Sequence, residues 1–245
     1  MRSAPILMIA FFLCPLLIRA QLIQEDFSSG SINTSTWGFY DTPENTVGVS
    51  NENIGERGVD HALVYAQTEN NDFYEDWGFY SLESWPRSDG DGFPLSVTLD
   101  MYATKHSIQY VGWVADTGGA YDWNEMKYNL HPSGDNLYVL EWEGWRDGGI
   151  YGATWAPGID VGGTTDKWIP VRVTLNDPTG CMYEYHDGND WVELRNVDTG
   201  DPSTDFHFGM MFSPRGDGEI AAFDNIKIEY IGADVPNDVE HWMLY

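Results

Sequence analysis

The stretch from Phe206 to Tyr230 sets the terms for the whole chain. Phe206, Phe208, Met210 and Phe212 occupy alternate positions, with His207, Gly209 and Met211 between them. Further on, Ile226, Ile228 and Tyr230 alternate with Asn225, Lys227 and Glu229. Successive side chains of an extended strand leave opposite faces, so a period of two marks a strand with one buried face. The residues between, Ser213 to Gly218, are dominated by Pro, Gly and Asp, which turn geometry selects. The pattern predicts a β-hairpin that closes a sheet. Asp224 departs from it: two residues before Ile226, it has the parity of the core-facing set. A carboxylate aimed at a core needs a partner, which can be an Arg, backbone donors or a cation.

The same period recurs upstream. Leu95, Val97, Leu99 and Met101 alternate with Ser96, Thr98 and Asp100, and Ile169, Val171, Val173 and Leu175 repeat the arrangement. Met126, Tyr128 and Leu130 alternate with polar residues, and Asn136 to Glu143 is placed to pair with them across the turn Pro132 to Asp135. Ile108 to Ala115 is apolar on both faces and reads as a central strand. Cys181 to His186 and Trp191 to Asn196 flank Asp187-Gly188-Asn189-Asp190, a hairpin signal. With Ala62 to Gln67, Trp77 to Leu82 and Ile150 to Trp155, this gives roughly a dozen short strands at near-regular spacing. The sequence therefore predicts an all-β fold, an antiparallel β-sandwich of jelly-roll type.

Residues 1–20 stand apart. A basic start, Met1-Arg2, precedes the apolar run Ile6 to Ile18, and the small Ala20 precedes Gln21. This is the pattern of a secretory signal peptide, with cleavage expected after Ala20. The run is too short to span a bilayer, and no later stretch is long and apolar enough to do so. Cys14 lies inside it, which leaves Cys181 as a single, core-type cysteine without an intrachain disulfide. Residues 21–231 then form one domain, and 232–245 lose the alternation and read as a tail or linker.

The chain carries a net charge of −27, from 12 Lys+Arg against 39 Asp+Glu. Such a surface repels nucleic acid and anionic membranes and disfavours strongly anionic polysaccharides. Aromatic residues make up 15% of the chain, too many for a disordered acidic segment. The acidity therefore belongs to a folded surface, in a secreted or extracellular setting, or to cation sites.

Several stretches carry a family resemblance. CMYEYHDGNDWVEL (Cys181 to Leu194) is followed by FHFGMMF and by AAFDNIKIEY, and DFSSGSINTSTW opens the domain. Together these resemble the concanavalin A-like lectin and glucanase superfamily, including laminin-G-like modules. The resemblance implies a jelly roll that serves lectins, carbohydrate-binding modules, endo-glucanases and polysaccharide lyases. It also implies a structural calcium ion, held here by Asp224 and completed by Glu25 or Asp26.

Three sets of residues are candidates for chemistry. Glu141 and Glu143, at i and i+2, leave one face of one strand about 7 Å apart. Retaining glycosidases hold two carboxyls ~5 Å apart. The glucanase pattern is Glu-x-Asp-x-x-Glu, and Glu141 and Glu143 match its first two positions with Glu in place of Asp. Trp145 or Arg146 stands where the third acid belongs. The second set is aromatic: Trp113, Trp123, Trp142, Trp145 and Trp155, among 11 Trp in all, suit stacking on sugar rings. The third is for calcium, which takes six to eight oxygen ligands: Asp224 and Asp26, then Asp89 and Asp91, and Asp187, Asn189 and Asp190. For the latter two groups, ordinary turn chemistry is the competing account. Arg215-Gly216-Asp217 is explained by its turn, and no Gly-x-Ser-x-Gly, Cys-His or phosphate loop is present.

The expected function is a secreted, lectin-like protein that binds a polysaccharide or glycan through a Trp-lined surface. Two alternatives stand beside it: an endo-glycosidase or lyase using Glu141 and Glu143, and a structural surface module without sugar chemistry.

Overall fold

The computed structural model describes residues 23–40, 47–59, 61–67, 77–84, 94–104, 108–115, 126–133, 136–142, 145–146, 149–150, 153–155, 159–175, 180–198, 206–213 and 218–230. These form β1 (Ile23–Glu25), β2 (Trp37–Tyr40), β3 (Val47–Ser50), β4 (Leu63–Gln67), β5 (Trp77–Ser81), β6 (Leu95–Ala103) and β7 (Ile108–Ala115). Next come β8 (Met126–Ser133), β9 (Asn136–Trp142), β10 (Trp145–Arg146), β11 (Gly149–Ile150), β12 (Ala153–Trp155) and β13 (Ile159–Asp160). The series ends with β14 (Ile169–Leu175), β15 (Gly180–His186), β16 (Trp191–Asp198), β17 (Phe206–Ser213) and β18 (Ile220–Tyr230).

Two antiparallel sheets carry this order. Sheet I runs β16-β15-β14-β6-β18-β4-β3, with β1 against β18. Sheet II runs β12-β9-β8-β7-β17-β5-β2, with β13 against β9. The pair β10–β11 stands separately. Between the sheets lies a core of alternating residues: Leu95, Val97, Leu99, Val171, Val173, Phe223, Ile226 and Ile228 from sheet I meet Trp37, Phe79, Val111, Trp113, Phe208, Met210 and Phe212 from sheet II. Phe212 and Phe223 touch across the interface with ring centroids 4.8 Å apart. Gln109, fully buried, reaches over from β7 and donates its side-chain N–H to the carbonyl of Ala222 in β18 at 2.6 Å. No helix among the described residues is long and apolar enough to cross a membrane.

The predicted closing hairpin is corrected. β17 and β18 are not hydrogen-bonded partners: β17 lies between β7 and β5 in sheet II, and β18 between β6 and β4 in sheet I. The chain crosses from one sheet to the other at 214–219, so the two apolar faces meet as opposite walls of the core. Alternation fixes which face is buried and is blind to whether the next strand lies beside it or across from it.

The parity of Asp224 is corrected as well. The register of β18 against β6 shifts between Asp224 and Lys227, a β-bulge, and Asn225 takes the left-handed conformation at φ 52°. One extra residue inverts the faces. Phe223 pairs with the core residue Met101, whereas Asp224 pairs with Asp100 on the outer side of sheet I. Asp224 is still wholly buried, but beneath the segment 53–61, which covers that outer face with a second small core of Ile54, Leu63, Tyr102 and Ala222.

Candidate functional site

On the outer side of sheet II one register row crosses seven strands. Gly38 in β2 pairs with Tyr80 in β5, Tyr80 with Gly209 in β17, and Gly209 with Gly112 in β7. The row continues to Asn129 in β8, Leu140 in β9 and Trp155 in β12. Its outward position follows from the neighbours: Phe79, Phe208, Met210, Val111 and Trp113 all enter the core, so Tyr80, Gly209 and Gly112 take the other face. Glycine inside a strand marks a place where another group approaches the backbone. At Gly38 that group is visible, because a Cβ there would lie 2.4 Å from Cζ of Tyr80. The Tyr80 ring thus lies across the sheet, over Gly38. Beside it the edge of His207 meets the ring at 6.1 Å and an interplanar angle of 87°. His207 is held by its Nδ1 against the carbonyl of Ser81 at 2.7 Å, while the Ser81 hydroxyl accepts from the backbone N–H of Phe208 at 2.9 Å. Along this row Gly38 and Tyr80 are half-buried, while Gly209, Gly112 and the adjacent His207 are buried.

The predicted site residues divide. Trp113 is core, 2% exposed and edge-on to Phe208 at 5.7 Å, so its predicted place on a ligand surface is corrected. Trp155 ends the glycine row, and Trp142 pairs with Ala153 two positions along β9 from Leu140. Trp145 belongs to the separate β10–β11 pair. Glu141 pairs with Tyr128 and Thr154, in the row that begins at the core residue Trp113, not in the glycine row. Trp123, Glu143, Asp89 and Asp91 lie outside the described residues. Asp187 accepts the backbone N–H groups of Asn189 at 2.8 Å and Asp190 at 2.9 Å, which is turn chemistry. Those bonds, Asp190 first, hold its carboxyl below the ordinary value. Asp26 is exposed and accepts from the N–H of Ser28 at 3.0 Å.

Sheet I carries the polar centre that sequence reasoning placed at Asp224 alone. Asp224 and Asp100 are cross-strand partners, and segment 53–61 brings Arg57 and His61 down on them. Arg57 pairs with the Asp100 carboxylate and its guanidinium lies 3.9 Å from that of Asp224. His61 Nε2 is in contact with Asp224 Oδ2. Asn225 donates its backbone N–H to Asp224 Oδ1 at 2.8 Å and its side-chain amide to Asp100 Oδ2 at 2.8 Å. Burial pushes the Asp224 carboxyl up to about 7; Asn225 and Arg57 pull it down, and Asp100 and Asp26 add repulsion. Desolvation, then Arg57, lowers His61 below the usual imidazole value.

A calcium ion does not fit this donor set. Calcium takes a shell of six to eight oxygens, whereas the oxygens of Asp224 and Asp100 face a guanidinium, an imidazole and amide N–H groups. Among the described residues no three His, Cys, Asp or Glu side chains are grouped to hold a metal.

No protein-family model and no curated protein matches the chain. Solved structures do. An endo-β-1,4-glucuronan lyase from the fungus Trichoderma reesei aligns over 88% of this chain and 98% of its own, at 14% identity and a TM-score of 0.56. A protein described with endo-acting O-glycanases of the human gut microbiota, which initiate mucin breakdown, aligns over 87% and 100%, at 12% identity and 0.55. The carbohydrate recognition domain of Emp47p aligns over 84% and 94%, at 10% identity and 0.52. The fold is an antiparallel β-sandwich of jelly-roll type. At these identities the likeness is one of fold, and function has to come from the site.

Proposed function

We propose that this protein binds a glycan on the outer face of sheet II, at the half-buried ring of Tyr80. The observation that carries the reading is the row Gly38–Tyr80–Gly209–Gly112, with His207 beside it. Sugar rings present flat C–H faces and a rim of hydroxyls, which suits an aromatic ring laid along the sheet. Trp155 and Trp142 lie at the far end of the same sheet, in β12 and β9. The neighbours named as acting on or recognising glycans add support at the level of fold. A net charge of −27 favours a neutral glycan over a polyanionic one. The leader expected in residues 1–20 accords with an activity outside the cell.

The test is a glycan array followed by titration of the best ligand against Tyr80→Ala and Gly209→Leu. Both variants are expected to lose at least about tenfold in affinity, ~1.4 kcal/mol, measured per folded molecule. Unchanged binding in both would end this reading. Cleavage of the bound polysaccharide is the second reading, supported by the lyase neighbour's near-complete coverage. New chain ends released from neutral glucans would establish it. Glu141 is a poor residue for that role, because its row is the row of Trp113.

A further inference from the structure

We propose that this chain replaces the structural calcium of its fold with a clasp built from its own side chains, Arg57 and His61 on Asp100 and Asp224. The clasp holds segment 53–61 on sheet I without any metal. Three observations carry it.

The first is placement. Asp100 and Asp224 face each other across β6 and β18, an arrangement of like charges that is unfavourable unless something positive lies between them. A divalent ion is one solution. Arg57 occupies that place instead, bonded to Asp100 and 3.9 Å from Asp224. The second is that the cation is locked. The Arg57 guanidinium lies 4.3 Å above the centroid of the Trp168 ring. Trp168 donates its indole N–H to the carbonyl of Ile54 at 3.0 Å, three residues before Arg57. Asn53 accepts from the N–H of Gly58 at 2.6 Å, which closes the segment on itself. The third is that the backbone is shaped for this. Gly55 has φ 59°, and a Cβ there would lie 2.4 Å from Tyr102 and 2.6 Å from Trp168 Nε1. Only a glycine lets the segment sit low enough for Arg57 to reach both carboxylates.

The clasp predicts a stability that ignores calcium. The full chain would be unfolded thermally in excess EDTA and again in excess calcium chloride, beside Arg57→Met, Arg57→Lys and the pair Arg57→Met with Asp100→Asn. The parent Tm is expected to be the same in EDTA and in calcium. Arg57→Met is expected to lower Tm by on the order of 10 °C, Arg57→Lys by less, and the double variant by less than the sum of its parts. A parent Tm that falls in EDTA overturns the proposal, even if no variant folds. So does an Arg57→Met protein that unfolds like the parent with segment 53–61 equally protected from hydrogen exchange.

Discussion

The outer faces of the two sheets have the same parity rules and opposite outcomes. On sheet I the outward positions of β6 and β18 carry two carboxylates, and a loop folds down to neutralise them. On sheet II the outward positions of β17 and β7 carry glycines, and the nearest side chains, Tyr80 and His207, lie along the sheet. The first face is rich in ionisable groups and uses them on one another. Along the described part of the second, the row offers backbone and the half-buried ring of Tyr80 instead. A cluster of acids, an Arg and a His draws the eye as a catalytic centre, but here each group is already engaged. The glycine row draws less attention, and its surface-reaching member is the ring of Tyr80.

The comparison breaks first at the clasp. Arg57→Met removes the guanidinium from a buried and a half-buried carboxyl that keep only His61 and Asn225, and is expected to cost about 3–5 kcal/mol in chemical denaturation. Gly55→Ala is expected to cost about 3 kcal/mol, from the left-handed backbone and the contacts with Tyr102 and Trp168. Neither should alter glycan affinity per folded molecule; if either does, the two faces are coupled.

A pH series sharpens the same contrast. The folded Asp224 pKa, about 7, lies above its ordinary 3.8. Its contribution to stability is therefore complete below pH 3.8 and is lost as pH rises to about 7. His61, lowered from 6.5, acts in the opposite sense: its contribution is present above pH 6.5 and is lost as pH falls. Asp224→Asn should gain on the parent as pH is raised from 4 to 7, measured as the difference in Tm. A difference independent of pH would mean that the carboxyl is ionised throughout.

On sheet II the expected effects are on binding. Gly112→Leu crowds the row beside Gly209 and should weaken the glycan by about tenfold, ~1.4 kcal/mol, per folded molecule. The smallest effect is expected away from both sites. Trp191→Ala removes the ring under Arg172, whose guanidinium lies 4.4 Å from its centroid, and should cost about 0.5–1 kcal/mol. It should leave binding unchanged.

What could be read from the sequence was local. The β15–β16 hairpin and the β8–β9 pairing follow from adjacent alternating runs, though a bulge between Tyr183 and Glu184 interrupts the first and the second runs on through Pro132 and Ser133, which read as turn. The partition into sheets did not follow, because β17 and β18 bury the same kind of face whether they pair or oppose each other. Asp224 was found as the odd residue, yet its face was inverted by the left-handed turn at Asn225, a residue type that tolerates that conformation without announcing it. Its partners lie in an aperiodic loop, 163 residues away in the case of His61. The glycine row had a visible signal: Gly209 between Phe208 and Met210, and Gly112 between Val111 and Trp113. Each looks like an isolated weakness in a strand. Only the register shows that they are neighbours, with Tyr80 next in line.

The crossing from β17 to β18 also dictates when this protein can fold. β17 fills the middle of sheet II and β18 the middle of sheet I, where it also receives β1. Until those two strands have been synthesised, β5 and β7 have no common neighbour, nor have β4 and β6, and each sheet is in two pieces. A chain emerging from the ribosome therefore stays open until its last strands arrive, since so many of its contacts join distant parts of the sequence. For a protein with the leader expected here, that delay is useful: the chain remains threadable while it is exported, and the sandwich locks only on the far side.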